Sequence, residues 1–504
     1  MSSDRLRDRV RRSSYDAVVI GAGPNGLAAA ITLAKRGWSV VVLEGASTIG
    51  GGCRSEALTL PGFVHDVGSA IHPLGAGSPF FRTLPLERYG LEWVHPGCPL
   101  GHPFEEASAG AVALERDLEA TCDGLGRRDG EAYRRLVAPL LAGVDGDNAI
   151  EHLSRLFLLG APANARDLLA LPSPGLARVA ALAARSAHSV ANTLFVGSRA
   201  RGLFGGLAAH SLLPLERSPS AAVALALLVA GHTFGWPFPR GGAQRLADAL
   251  AAYLRDLGGE ILCDAPVHSL DELPEAPVIL GDITPRQLLT IAGDRLPADY
   301  RRDLTRYRFG PAAFKMDWAI DGPIPWKDSV AAICGRAGTV HLGGTFGQIA
   351  ESERAVWEDA ITERPYILLA QHTPFDPTRA PAGQHTVWAY CHVPNGSTVD
   401  VSDRIEAQIE RYAPDFRERI LARHVLSPAA LERWDPNLIG GDITGGVLDW
   451  VQLFCRPAAR LVPWSTPAPG LFLCSSSTPP GAGVHGMCGY WAALAATALR
   501  GRAR

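Results

Sequence analysis

Lysine is almost missing from this chain: Lys35, Lys315 and Lys327 are the only three among 504 residues. Arginine carries the remaining positive charge, a bias that GC-rich coding explains together with the abundant Ala and Gly. A formal net charge of −3 leaves no basic surplus for phosphate backbones, which excludes nucleic acid as a partner. Cysteine is sparse and unpatterned. Its nine copies include no C-x-x-C and no metal-ligand spacing, so no metal site or disulfide framework is expected, and reduced thiols in a cytoplasmic setting fit instead. Long hydrophobic runs are missing too, because the longest apolar segments, 221–231 and 490–499, fall short of the roughly 20 residues that span a bilayer. Residues 1–14 alternate Arg with Asp and Ser and lack an apolar stretch. They read as a flexible leader and not as a secretory signal.

What is present is an ordinary globular composition, 47% apolar and 20% charged, in a chain long enough for two domains. The organising stretch is 14–55. Residues 16–20 form a short β-branched run, Gly21, Ala22, Gly23, Pro24, Asn25 and Gly26 match G-x-G-x-x-G, and 27–36 have helical character before Gly37. Gly21 permits the turn, Gly23 lets a pyrophosphate approach the backbone, and Gly26 lets the helix pack closely on its strand. The amides at the helix start face the phosphates. Glu44 ends the next apolar run, where an acid accepts hydrogen bonds from ribose hydroxyls and disfavours a 2′-phosphate. A lone glycine motif is weak, but strand, helix and acid agree here on a dinucleotide cradle.

The continuation after Glu44 and Gly45 runs Gly50, Gly51, Gly52, Cys53, Arg54, Ser55. It resembles the GG segment of the glutathione-reductase-like flavoproteins, the group that contains amine oxidases and carotenoid desaturases. The stretch LPGFVHDVGS at 60–69 narrows the resemblance to the phytoene desaturase and carotenoid isomerase branch. A C-terminal stretch, FLCSSSTPPGAGVHGMCGYWAA at 472–493, is similar to that branch's closing signature. The resemblance implies FAD as cofactor, with Gly51, Gly52, Cys53 and Arg54 passing the diphosphate and Val267 beside the adenine. It places Ser475, Ser476, Gly483 and Val484 at the strand end and the turn that aims a helix at the flavin. Ser475, Ser477, Pro479, Ala482 and Met487 depart from the residues usual there, so the shape of the flavin pocket is open.

The implied fold is α/β, a glutathione-reductase-like Rossmann FAD-binding domain with an inserted α+β substrate domain. On this reading 15–77, 233–296 and 440–504 form the FAD-binding domain, and 78–232 with 297–439 form the substrate or cap domain. The first inserted block reads as helical, with runs at 132–138, 167–171 and 177–187. The second alternates, which predicts strands at 313–320, 339–342, 366–371 and 385–392. Lys315, in such a strand, is expected on a solvated face.

The chemistry implied is an oxidoreductase, a desaturase or dehydrogenase acting on a hydrophobic, isoprenoid- or lipid-like substrate, with electrons leaving to oxygen or a quinone. His485, near the flavin turn, and His72, in the loop after the glycine run, are the catalytic candidates. Each has a bland alternative, a helix cap for His485 and a hydrogen-bonded loop residue for His72. His232, Trp236 and Phe238 read as cavity wall or core packing. A flavin amine oxidase stays open, with Tyr490 and Trp491 as its aromatic pair, and so does a non-redox isomerase. No metal is expected, and peripheral membrane contact and a homodimer stay open.

Overall fold

The computed structural model describes residues 4–142 and 181–502. The helical run expected at 167–171 and the start of the one at 177–187 lie outside the described residues. The leader is not loose: Asp4–Arg9 is a helix that buries Leu6. Arg7 Nε donates to the Leu273 carbonyl at 3.0 Å and Arg9 Nη1 to that of Asp264 at 2.7 Å. Charge alternation alone gave no sign of these contacts, which depend on carbonyls far away in the chain.

Twelve strands in chain order build two sheets. They are β1 (Ala17–Ile20), β2 (Val40–Leu43), β3 (Cys98–Pro103), β4 (Ala111–Leu114), β5 (Glu260–Leu262), β6 (Val278–Gly281), β7 (Ala312–Asp321), β8 (Ala337–Leu342), β9 (Ile367–Gln371), β10 (Gln384–Val393), β11 (Ile420–Leu426) and β12 (Leu471–Leu473). The first sheet has the order β12-β6-β1-β2-β5 and is parallel throughout. Its central strands are nearly unbroken Val, Ile, Leu and Ala because both faces are covered. Its members come from three separated stretches of chain.

Helix α1 (Pro24–Ala34) follows β1 and packs against the last helix, α2 (Met487–Arg502). The approach is close enough that a methyl at Gly489 would collide with the Asn25 carbonyl. The carboxyl ends of β1, β2, β6 and β12 therefore gather Gly21, Glu44, Asp282 and Ser475 along one edge, the place where open parallel sheets bind ligands.

The second sheet is mixed, with the order β11-β7-β10-β9-β8-β3-β4, and only β8 and β3 run parallel. The four predicted strands of the second inserted block are β7 to β10. The sequence reading missed β11, and it missed β3 and β4 in the block expected to be helical. Prolines at both positions 99 and 103 hid β3 from a propensity argument. One face of this sheet, with Phe314, Trp318, Val340, Leu369 and Ala389, is a closed apolar core. The other carries Lys315, Trp388, Tyr390 and His341 beneath an apolar layer that includes Leu203, Leu207, Leu225 and Leu228.

A buried charge joint ties the two sheets together. Asp66 accepts from Ser55 Oγ at 2.6 Å, the Ala243 amide at 2.7 Å and Arg379 Nη1 at 3.1 Å. Arg379 Nε donates to Asp376 at 3.0 Å and its Nη2 to the Pro239 carbonyl at 3.2 Å. Burial opposes ionisation of Asp66, yet Arg379 beside it, with His372 and the two donors, holds its carboxyl down at about 2.

Candidate functional site

The glycine turn has the geometry its spacing predicts. Gly21 sits at φ +96° and donates its amide to the Leu43 carbonyl at 2.8 Å, closing β1 onto β2. A Cβ on Gly23 would lie 2.7 Å from Asp282 Oδ2, and one on Gly26 would collide with the Gly21 carbonyl. Glu44 is half-buried and bridges the turn: Oε2 accepts the Ala22 amide at 2.7 Å and Oε1 the Ala46 amide at 2.9 Å.

The second glycine run meets the first directly. Gly50 donates to the Ala22 carbonyl at 2.9 Å, and a Cβ on Gly51 would stand 3.2 Å from Gly23 Cα. The two glycine runs thus meet backbone to backbone, with no side chain between them. Gly52 has open space where a Cβ would go, and its carbonyl receives the Ser69 amide at 2.8 Å. Gly45 faces Pro266, and the Ala265 amide donates to the Glu44 carbonyl at 2.8 Å, which brings half-buried Val267 beside the end of β2.

Two of the expected cofactor contacts are otherwise engaged. Cys53 is fully buried with Sγ 3.3 Å from Ser69 Oγ, and burial pushes its thiol up to about 12. Arg54 lies over the Trp434 ring at 4.1 Å and donates to the carbonyls of Gly51 at 3.1 Å and Trp434 at 2.5 Å. Ser475 Oγ is used on the Ile283 carbonyl at 2.7 Å, and Ser477 Oγ on that of Gly445 at 2.9 Å. The serines that replace glycine pin the C-terminal loop to its neighbours. Ser476 abuts Gly445.

The sequence reading assigned Asp282 no role. Asp282 is buried and accepts the Gly26 amide at 2.8 Å. Burial first, then the nearby Asp435 and Glu44, raise its carboxyl to about 8 against the lowering pull of that amide. Glu44 and Asp435 are raised by burial as well. Asp282 and Asp435 belong to segments the sequence separates widely, so only folding shows that they close the floor beneath the two glycine runs.

The two histidine candidates converge on one turn. His72 precedes the short helix Pro73–Ala76, and a Cβ on Gly75 within it would lie 3.3 Å from His72 Cβ and 3.1 Å from the Val484 carbonyl. A Cβ on Gly483 would touch Leu74 Cδ1 at 2.8 Å and His485 Cδ2 at 3.1 Å. Burial lowers both rings to about 4, so both are neutral near pH 7. His72 Nε2 is 3.1 Å from Ser69 Oγ, and its Nδ1 has no partner. His485 Nδ1 accepts the Met487 amide at 3.0 Å and so caps α2. A neutral ring that accepts at Nδ1 carries its hydrogen on Nε2. That Nε2–H is buried beside the carbonyls of Ala482 and Gly481, and Asn25 Oδ1 at the start of α1 is buried without a partner.

Other expectations are corrected. Lys315 is not solvated: it is buried, ion-paired with Asp317 and 5.7 Å from the Trp388 ring centroid, since both faces of β7 are covered. Tyr490 and Trp491, the aromatic pair of the amine oxidase alternative, sit edge to face at 5.3 Å. Tyr490 packs on Phe80 and Trp491 stacks on Trp464 within the core around α2. His232 is fully partnered, by Tyr133 Oη at 2.8 Å and the Arg116 carbonyl at 3.2 Å, and Trp236 and Phe238 are buried packing. The aromatic pair the sequence reading overlooked is Trp388 and Tyr390, alternate residues on one face of β10 with centroids 5.1 Å apart. Trp388 Nε1 donates to the Gly68 carbonyl at 3.2 Å, joining the second sheet to the loop that backs Gly52. Among the described residues no group of His, Cys, Asp and Glu is arranged to hold a metal ion.

Comparison with known proteins agrees with this geometry. Residues 19–84 match the NAD(P)-binding Rossmann-like domain. The chain is 26% identical over 543 aligned residues to pyridine nucleotide-disulfide oxidoreductase domain-containing protein 2 of Rattus norvegicus, covering 95% of this chain and 92% of that one. It is 25% identical to the neurosporene-forming phytoene desaturase of Rhodobacter capsulatus, over 94% of this chain and 92% of the relative. A redesigned putrescine oxidase shares the fold with a TM-score of 0.61 at 17% identity, covering 97% and 99% of the two chains. Along most of its length the chain is similar to the phytoene desaturases and to pyridine nucleotide-disulfide oxidoreductase domain-containing protein 2, and it shares the fold of an amine-oxidising enzyme, putrescine oxidase.

Proposed function

We propose that this protein is an FAD-dependent oxidoreductase that removes hydrogen from a largely apolar, isoprenoid- or lipid-like substrate. In this reading the parallel sheet and its helices, drawn from 15–77, 233–296 and 440–504, are a glutathione-reductase-like cofactor domain. The mixed sheet and the helices over it form the inserted substrate domain.

The observation that carries the reading is the meeting of the Gly21 to Gly26 turn and the Gly50 to Gly52 run, backbone to backbone, at the carboxyl edge of the first sheet, with Glu44 bridging the turn. The residues fit the nucleotide. The amides of the Gly21 to Gly26 turn and the start of α1 would hold the diphosphate. Glu44 would take the ribose hydroxyls, Val267 the adenine face, and Gly51 and Gly52 would let the diphosphate pass. When bound, the flavin would supply a two-electron oxidant for a substrate C–H, with oxygen or a quinone as the final acceptor.

The chain's own part is orientation and electrostatics. The start of α2 offers a positive dipole end to negative charge, and His485, neutral near pH 7, caps that helix without adding a cation. His72 backs the same turn from the other side. The apolar layer above Trp388 and Tyr390 keeps water from a hydrocarbon substrate. No C-x-x-C pair follows the glycine run, and the later G-x-G-x-x-G match, Gly481 to Gly486, leads into α2 without opening a second βαβ unit among the described residues, which argues against disulfide reduction and a dedicated NAD(P)H domain. The packed positions of Tyr490 and Trp491 weaken the amine oxidase reading.

The test is anaerobic titration of the yellow protein. A long isoprenoid hydrocarbon should bleach the flavin band and amines should leave it unchanged. Bleaching by amines alone would overturn the substrate class. Isomerised double bonds without bleaching would replace oxidation by isomerisation.

A further inference from the structure

One face of β10 turns polar inside an apolar layer. Trp388, Tyr390 and His392 alternate along the strand, so all three share the face covered by Leu203, Leu207, Leu225 and Leu228. The row starts against the cradle, where Trp388 Nε1 donates to the Gly68 carbonyl. It ends at His392, about 13 Å further along at the ordinary rise of a strand. The His392 ring lies 5.5 Å from that of Tyr390 and 6.3 Å from that of Tyr366.

His392 is buried, and its Nδ1 stands 2.8 Å from Oε2 of Glu353, a buried residue of the helix Phe346–Trp357. A carboxylate only accepts, so Nδ1 carries the hydrogen, and in that tautomer Nε2 is an acceptor. His392 Nε2 and Glu353 Oε1 are both buried with no partner among the described residues. Buried acceptors are normally satisfied, and two of them in one place call for a donor.

The surrounding side chains do not supply it. The cross-strand partner of His392 on β7 is Ala313, which offers a methyl group only. The Tyr366 hydroxyl is already given to the Gly206 carbonyl at 2.8 Å, and His210 and His341 in the same layer are bonded to each other at 3.1 Å.

We propose that His392 Nε2 and Glu353 Oε1 receive the hydroxyl group of a lipid alcohol whose apolar chain runs along Tyr390 and Trp388 toward the cradle. An ammonium group also donates, but bringing it from water into a layer of leucines costs far more than bringing a hydroxyl there. A lipid carboxylate would set its charge against that of Glu353. The proposal rests on the lipid-substrate reading above and narrows it, because a bare hydrocarbon leaves both acceptors unmet.

The test is equilibrium partition of four probes between detergent micelles and the oxidised, flavin-loaded protein: a saturated isoprenoid alcohol, its methyl ether, the corresponding primary amine and the parent hydrocarbon. The alcohol should bind about tenfold tighter than the ether, which keeps the oxygen but cannot donate. His392→Phe should abolish that preference while the ether and the hydrocarbon bind as before, whereas damage to the fold alone would weaken all four alike. If the variant does not fold, the alcohol-to-ether ratio of wild type decides. Equal binding of alcohol and ether by wild type, or a preference that survives in H392F, overturns the hydroxyl subsite and leaves the lipid reading standing. Tightest binding of the amine overturns it in favour of an amine substrate. If no probe binds, the lipid reading fails with it.

Discussion

Replacing Arg379 by Met removes the cation at the centre of the joint between the two sheets. Arg379 is fully buried and reaches Asp66 at 3.1 Å and Asp376 at 3.0 Å. At an effective dielectric of about 20, each contact at ~3 Å is worth on the order of 5 kcal/mol of gross attraction. Desolvation cancels much of that, but removing one partner leaves the carboxylates buried and unpaired, which costs about 3–5 kcal/mol. Equilibrium urea unfolding of the flavin-loaded protein measures the loss. Arg379→Lys keeps the charge but cannot serve Asp66, Asp376 and the Pro239 carbonyl together, so about 1–3 kcal/mol should go. The double change D66N/R379M, with one carboxylate neutralised, should recover part of the loss of R379M. An R379M protein within ~1 kcal/mol of wild type, the value of an exposed pair, would refute the reasoning. So would a double variant less stable than R379M. Because Asp66 immediately precedes the loop that backs Gly52, R379M should also lower flavin occupancy.

Gly23→Val should abolish the yellow absorbance, since its Cβ would stand 2.7 Å from Asp282 Oδ2 and its methyls would press on Gly51; a normally coloured protein would refute the cradle. Glu44→Ala should weaken flavin binding by about 10- to 100-fold, the worth of one or two charge-assisted hydrogen bonds, read by fluorescence of released flavin. Buried His72, His102, His372 and His485 are each held down at about 4, below the ordinary value of about 6.5, so the unfolded chain binds protons more readily between those limits. Their stability contribution is complete above about pH 6.5 and is lost as the pH falls toward 4, up to about 3 kcal/mol each. Because buried Asp282, held up at about 8, gains stability as the pH falls, the histidine contribution is read by difference: the urea midpoint of a His102→Gln variant should fall less between about pH 6.5 and 4 than that of wild type, and parallel profiles would contradict it. His485→Phe keeps the bulk but loses both the Nδ1 cap and the Nε2–H, so it should shift the flavin absorption maximum and not only lower stability; an unchanged spectrum would leave His485 a cap alone.

The sequence by itself determined the Rossmann turn and its flanking strands, because that pattern is local. Gly21, Gly23 and Gly26 are needed at fixed spacing by one turn, Glu44 by the tip of the next strand, and both patterns survive in a single chain. The alternation that marked β7 to β10 is local for the same reason. What the tertiary structure decided is everything that depends on which distant segment arrives beside another. Asp282 and Asp435 become a floor only when β6 and the 435 loop meet the glycine turn. Lys315 looks like a surface residue until helices and a hairpin cover both faces of its strand. The leader's arginines find their carbonyls only after the first sheet has formed. Hydrogen bonds within a turn are written in adjacent residues, whereas burial and ion pairing are set by neighbours that the order of the chain does not name.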